Sequence, residues 1–249
     1  MGVRDVLQVD PLRYAHEAVS ASEERARRRN ARRRVDLYCD NSEHIIVADV
    51  QRAFRAPEVR ERIEPFIPLA ASNSIFRRVI DEISRQVYGH VAPDRKVTPD
   101  ADQMVFQELS TECRLDQRMD LAIRLVNACN TVFLFYRGTE RLGLVVDVLT
   151  PDMVTVIPDP DDPMRELAVI YDRPYRDRNT GKTRTGYVYW DDTEAFYFNE
   201  FGVLLPMPSG DSRVVTDYGR IQMVAVHRRE RWGAYWDTTS GADLEGAQR

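Results

Sequence analysis

Apolar residues recur at helical spacing in the first third of the chain. Pro11 suits the first turn of a helix, and no glycine or proline interrupts the sequence from Leu12 to about Tyr38. This stretch predicts one long helix. A second helix is predicted to begin near Ser42, whose hydroxyl can cap it.

A further helix is predicted to begin near residues 71–73, with Ser72 or Asn73 as its cap, and to end at Gly89. Its predicted buried stripe consists of Ile75, Ile80, Ile83 and Val87. A charged, proline-containing linker from His90 to Asp100 follows this helix.

The period of the pattern changes from about 3.6 to about 2 at Thr131. A long helix is predicted from Ala101 to Asn130, and it leads directly into a strand rich in aromatic and β-branched residues. Both faces of that strand are apolar, so we expect it to be covered on both sides. Gly138 and Thr139 can then turn the chain. The residues predicted to be buried here are Ile123, Val126, Phe133, Phe135 and Val145.

Alternating patterns continue through the second half of the chain. A hairpin is predicted where apolar residues flank Asp191 and Asp192. The sequence therefore predicts an α+β fold, in which N-terminal helices are followed by a long helix packed on an antiparallel β-rich region. Strands are predicted near 131–137, 142–148, 153–157, 167–172, 185–190, 194–199 and 221–227.

Composition narrows the class of protein. The chain of 249 residues carries a net charge of -5, which argues against nucleic-acid binding by its whole surface. No apolar run reaches the length of a membrane span, and the first residues lack the apolar core of a secretory signal. Three widely spaced cysteines favour neither a disulfide framework nor a zinc site.

Aspartates form the main candidate for metal chemistry. Asp152, Asp159, Asp161 and Asp162 are close in sequence, but the last three alternate with prolines, which favours a turn. The four histidines lack ligand spacing, and no motif of a hydrolase, P-loop or dinucleotide-binding site is present. We therefore predict no catalytic, cofactor-binding or metal-binding residue, no cofactor, and a protein that is not an enzyme.

Seven arginines lie between Arg25 and Arg34, where only Glu23 and Glu24 offset them. On a helix, like charges at these spacings repel unless a partner covers them. A solvated face and a contact surface both remain open as interpretations. The candidate residues for contact with another subunit, the capsid or DNA are Arg25, Arg28, Arg29, Arg32 and Arg33.

Four stretches, in this order, resemble the N-terminal half of tailed-bacteriophage portal proteins, the head-tail connectors of the virion. They are the helix at 73–89, the helix and strand at 114–137, the strands around the acidic turn at 149–171, and the hairpin at 187–202. Portal proteins form rings at one capsid vertex, through which DNA is packaged and ejected.

The resemblance implies an N-terminal helical region at 1–100, an α+β wing domain at 101–230 and the start of a stem-like segment at 231–249. There we expect the polypeptide to be truncated or to continue. It also implies a homo-oligomeric, dodecameric ring that contacts the major capsid protein and double-stranded DNA, with no membrane partner. Contacts with terminase and the head-tail adaptor would use regions absent from this sequence. The expected location is the virion, and the host cytoplasm during assembly.

A second class of function remains open from the residues themselves. Carboxylates such as Asp147, Asp152 and Asp159 could hold a metal ion in a nucleic-acid-processing enzyme domain. A closed ring would favour the portal interpretation, whereas a monomer with metal-dependent nuclease activity would favour the enzyme.

Overall fold

The computed structural model describes residues 2–72, 74–88, 95–98, 102–139, 143–177, 180–207, 210–216, 219–228 and 235–236. The chain divides into two compact units, each built from separate stretches. Unit 1 comprises Met1–Arg29, Pro151–Val224 and Glu230–Asp237. Unit 2 comprises Asn30–Thr150, Ala225–Arg229 and Thr238–Arg249. These units divide the chain at positions other than 100 and 230, and the assignment of helical region, wing and stem stays a prediction.

The predicted α+β class is confirmed, because helices dominate up to residue 129 and antiparallel sheets dominate afterwards. The helices are α1 (Val3–Leu7), α2 (Pro11–Ser20), α3 (Ser22–Tyr38), α4 (Glu43–Ala53), α5 (Pro57–Ile63), a 3-10 turn (Glu64–Phe66), α6 (Ile67–Ser72), α7 (Ile75–Tyr88), α8 (Gln103–Glu112) and α9 (Leu115–Cys129).

The strands are β1 (Thr131–Thr139), β2 (Gly143–Leu149), β3 (Val154–Pro158), β4 (Glu166–Asp172), β5 (Tyr175–Arg176), β6 (Thr183–Arg184), β7 (Gly186–Asp191), β8 (Glu194–Asn199), β9 (Leu204–Leu205), β10 (Arg213–Val215) and β11 (Met223–His227). Each of the seven predicted strands is present within two residues of its predicted bounds, whereas the short strands β5, β6, β9 and β10 were not predicted.

Unit 1 is organised by an antiparallel sheet with the strand order β10-β8-β7-β4-β3, to which β9 adds beside β8. The predicted hairpin is confirmed, since β7 and β8 pair with Tyr189 opposite Phe196 and their rings stacked 4.4 Å apart. The core of this unit joins the sheet to α1 and α2. It contains Val3, Ala15, Val19, Ile157, Leu167, Ala168, Ile170, Tyr189, Phe196 and Phe198.

Unit 2 is organised around α9, which packs on α7 and on the hairpin of β1 and β2. The helix ends at Asn130, whose left-handed backbone (φ 70°) suits asparagine and redirects the chain into β1. The carbonyl of Asn130 accepts the amide of Arg228 at 2.8 Å, next to β11, which pairs with β1. The core includes Phe76, Ile80, Ala122, Leu125, Val126, Ala128 and Val132.

The burial predicted for this helix and hairpin is largely confirmed. Val126, Phe133 and Phe135 are buried, whereas Ile123 and Val145 are half-buried. On the second face of β1, Val132 is fully buried and Leu134 half-buried, so apolar side chains are covered on both faces.

Two predicted helices are each interrupted once. The stretch from Leu12 to Tyr38 breaks at Ala21, between α2 and α3. The stretch from Ala101 to Asn130 breaks after Glu112, because Arg114 adopts a left-handed backbone (φ 53°). Such a conformation costs a non-glycine residue on the order of 1 kcal/mol, which local spacing cannot predict.

The predicted start of α7 was wrong by one residue. The cap is Ser74, whose Oγ accepts the amide of Arg77 at 3.1 Å and donates to the carbonyl of Leu37 at 3.1 Å. Consequently Phe76 and Ile80 are buried, Ile83 is half-buried, and Ile75 is exposed. Ser42 precedes α4 as predicted but makes no capping hydrogen bond with its side chain.

Some predicted features lie outside the described residues. The turn predicted at Gly138 and Thr139 was wrong, because both residues belong to β1, where Thr139 pairs with Gly143. Residues 140–142 lie outside the described residues. Asn73, the side chain of Val87, Gly89, much of the linker at 90–100 and the stem-like segment at 231–249, apart from Tyr235 and Trp236, also lie outside.

Candidate contact surface of the arginine-rich helix

Helix α3 carries the arginine run and divides it between buried and exposed positions. Arg25 and Arg29 are exposed in unit 1, four residues apart and therefore on the same side of the helix, and Arg32 is exposed in unit 2. Arg27, Arg28 and Arg33 are half-buried, and Arg34 is buried. The predicted contact residues therefore do not form a single exposed surface.

Arg27 is integrated into unit 1. Its guanidinium donates to both carboxylate oxygens of Glu24, at 2.6 and 2.7 Å, and to the carbonyls of Pro151 at 3.0 Å and Val154 at 2.6 Å. It also lies 3.7 Å from the centre of the Trp236 ring. These contacts use the planar, multidentate geometry of arginine within one subunit.

Arg28 links the loop before β3 to the last residue of β4. Its Nε donates to the carbonyl of Asp152 at 2.6 Å, and its Nη2 donates to the carboxylate of Asp172. Burial lowers the pKa of Arg28, whereas the hydrogen bond and the negative charge of Asp172 raise it. The pKa of Arg28 consequently lies above its ordinary value. Burial raises the pKa of the Asp172 carboxyl despite the opposing effect of Arg28. Removal of Arg28 would thus leave the half-buried acid Asp172 without its counter-charge.

In unit 2 the second part of α3 makes further ion pairs. Arg33 donates to Asp49 of α4 at 2.7 Å, and Arg32 lies 3.1 Å from Asp36 one turn along the helix. Arg28 and Arg33, two of the predicted contact residues, are thus each paired with an acid of the same chain, and their contact with another molecule stays a prediction. Within the described part of the chain, Arg25 and Arg29 enter no hydrogen bond or ion pair, so they and Arg32 are the exposed cations of α3.

The aspartates proposed for a metal site make separate contacts, and Asp152 contributes its backbone carbonyl to Arg28. Asp147 pairs with Arg137 at 3.1 Å. The carboxylates of Asp159 and Asp162 accept the amides of Asp161 and Met164, at 2.9 and 3.1 Å, which is the predicted turn. Among the residues that the structure describes, no group of three or more histidines, cysteines or acids is placed to hold a metal ion.

Histidines are engaged in local contacts rather than grouped. The Nε2 of His16 lies 3.0 Å from the carbonyl of Glu200, and the Nδ1 of His227 lies 3.0 Å from the hydroxyl of Thr131. His44 lies 3.5 Å from Asp36, and His90 lies outside the described residues.

Asp191 is the polar residue whose importance the sequence did not indicate. It is fully buried and accepts the amide of Val3 at 3.0 Å and the hydroxyl of Tyr189 at 2.7 Å. The amides of Thr193 and Glu194 and the Thr193 hydroxyl also donate to it, each at 2.8 Å. Burial alone would raise the pKa of Asp191, but these hydrogen bonds lower it to below 3.8. The Asp-Asp pair predicted only a turn, whereas Asp191 joins that turn to the start of α1.

Comparison with models of known protein families and with curated proteins gives no match to this chain. Within the described residues, no helix is both long and apolar enough to cross a membrane.

Proposed function

We propose that this protein is a structural, ring-forming portal subunit at a phage capsid vertex. The order of elements from Leu115 to Asn199 is the main support. Helix α9 leads directly into β1, β3 and β4 flank an acidic proline-rich turn, and β7 and β8 form a hairpin around Asp191 and Asp192. These are three of the four stretches that resemble portal proteins.

In this function the subunit acts through its shape and not through catalysis. Each copy supplies two different flanks, and repeated head-to-tail contact closes a ring when the rotation between copies fits. Its partners are other copies of itself in a dodecameric ring, the major capsid protein, and the DNA that passes through the channel. Its location is the virion, after assembly in the host cytoplasm.

The exposed cations of α3 support a contact role within such a ring. Arg25, Arg29 and Arg32 would be repeated in every copy, so their charge would multiply around the perimeter. An acidic surface of a neighbouring subunit or of the capsid would relieve the repulsion between them. The net charge of -5 per chain makes acidic surface abundant on the same molecule.

The test is the mass and shape of the purified chain. Light scattering after gel filtration should give one population whose mass is a fixed multiple of the 28.8 kDa chain, and electron micrographs should show closed rings. A chain that stays monomeric at all concentrations would contradict the proposal. A monomer that cleaves nucleic acid only with a divalent cation would establish the alternative enzyme domain.

A further inference from the structure

Helix α8 presents an apolar face to solvent. Met104, Val105 and Leu109 are 72%, 56% and 40% exposed, respectively. The opposite face, with Phe106 and Cys113, is half-buried or buried against the rest of unit 2. Contiguous apolar side chains on a surface mark an interaction site more often than isolated ones do.

Acids accompany this apolar face. Glu108 and Glu112 lie one and two turns beyond Met104, and α8 contains no arginine or lysine. We define the α8 stripe as Met104, Val105, Glu108, Leu109 and Glu112. It is an apolar ridge with a negative edge.

Elsewhere in unit 2 a cavity of about 350 Å³ opens between α3, α4 and α6. Buried Leu37 and Ile45 and half-buried Ile46 and Val50 line it, and Ala53 and Phe54 stand at its exposed end. Its polar lining consists of Arg33, Asp49 and Arg52; Asp49 pairs with both arginines, at 2.7 and 3.4 Å, so the lining keeps a net charge of one cation. We define the α4 groove as these residues together with Ala70.

The stripe and the groove have complementary shape and charge. An amphipathic helix that lays an apolar face into an apolar groove is a common mode of protein recognition. The acids of the stripe match the excess positive charge of the groove. Within the unit, α8 packs against α9 and β2 whereas α4 packs against α5 and α6, so these are two separate surfaces.

We propose that the α8 stripe of one copy inserts into the α4 groove of a neighbouring copy. The contact is heterologous, because each copy uses one surface toward one neighbour and the other surface toward the next. The inference rests on the proposed ring-forming function and identifies the two flanks that meet. It places Glu108 beside Arg52 of the next copy.

Two variants of the full chain test this contact. The stripe variant carries Val105→Asp and Leu109→Asp, and the groove variant carries Ala53→Asp and Phe54→Asp; all four positions are exposed. Each should weaken self-association at least about tenfold, since a buried charge opposes docking. Gln107→Asp and Gln51→Asp are matched controls, exposed on the same helices but outside the stripe and the groove, and should assemble like the wild type.

Mixing the two variants gives the sharpest outcome. The stripe variant keeps an intact groove and the groove variant keeps an intact stripe, so an equal mixture should form a complex of one copy of each and nothing larger. A mixture that stays monomeric, although both variants unfold at the wild-type temperature, would overturn the inference.

A charge exchange provides a second test that leaves apolar packing untouched. Glu108→Arg and Arg52→Glu should each reduce assembly, and the two together in one chain should restore it. If the wild type is monomeric, the proposed function fails together with the inference. If the wild type assembles and neither single change has an effect, the inference alone is wrong.

Discussion

Asp191 is fully enclosed, yet it carries a charge that five hydrogen-bond donors stabilise. Such a group contributes to stability only while it is ionised, because the donors then all meet an acceptor. The carboxylate joins Val3 at the start of unit 1 to the β7–β8 hairpin, so its loss should destabilise the packing of α1 on this hairpin.

We predict that Asp191→Asn lowers the free energy of unfolding at pH 7 by about 1.5 to 3 kcal/mol, the range for hydrogen bonds to a charged group. The pKa of Asp191 is lowered in the folded protein from its ordinary value of 3.8. Its stabilising effect is therefore fully present above that value and disappears as the pH falls through the lower folded pKa. Urea unfolding from pH 7 to pH 3 measures both effects.

The free energy of unfolding of the variant should therefore depend less on pH than that of the wild type. The two free energies should converge at low pH, where Asp191 of the wild type is protonated. The double change of Asp161 and Asp162 to Asn, in the exposed acidic turn, is the control and should shift stability by no more than ~0.5 kcal/mol. An Asp191→Asn protein as stable as the wild type at pH 7 would refute this account of the carboxylate.

At the level of elements, β1 is the strand that α9 covers. Phe133 is fully buried on it, while Tyr136, three residues later, is 37% exposed. Truncation of a buried aromatic residue removes its transfer free energy and leaves a cavity, so the loss depends on burial.

Phe133→Ala should lower the free energy of unfolding by about 3 to 5 kcal/mol, whereas Tyr136→Ala on the same strand should cost much less. Chemical denaturation of both variants with the same protocol gives the comparison. Equal effects at the two positions would mean that the burial on β1 does not govern stability.

The strands were predictable because β-branched and aromatic residues alternate along them and turn residues separate them. The breaks at Ala21 and Arg114 were not, since neither break contains the glycine or proline that would mark it in the sequence. The arginine run also shows that spacing in the sequence does not predict contacts made in the folded structure. Spacing put seven cations on one helix, but it does not reveal their acidic partners. Asp172 lies 144 positions from Arg28, and Asp49 belongs to the next helix, 16 positions from Arg33.

For the whole molecule, the exposed cations of α3 and the ion pairs within the chain should respond differently to mutation. Arg25→Gln with Arg29→Gln should leave the stability of the monomer within ~0.5 kcal/mol but reduce the assembled fraction at low ionic strength. The difference from the wild type should vanish near 1 M salt, where the screening length is about 3 Å. Light scattering across a salt series measures it.

Arg28→Gln is the contrasting change, because it leaves the half-buried Asp172 carboxylate without its charged donor. It should destabilise the fold by about 1 to 3 kcal/mol at any salt concentration. If the Arg25 and Arg29 double variant assembles like the wild type throughout the salt series, these two arginines face solvent and do not contribute to contacts between copies.

The hydrogen bond between Val3 and Asp191 spans 188 positions of the chain, which has a consequence for biosynthesis. The ribosome synthesises α1 and α2 long before it synthesises the strands that cover them. Helices α4 to α9 and the β1–β2 hairpin, whose partners are mostly near in sequence, can pack meanwhile. The first thirty residues therefore cannot bury Val3, Ala15 and Val19 against the sheet until translation passes residue 199. During that interval the nascent chain is most open to chaperones and to aggregation.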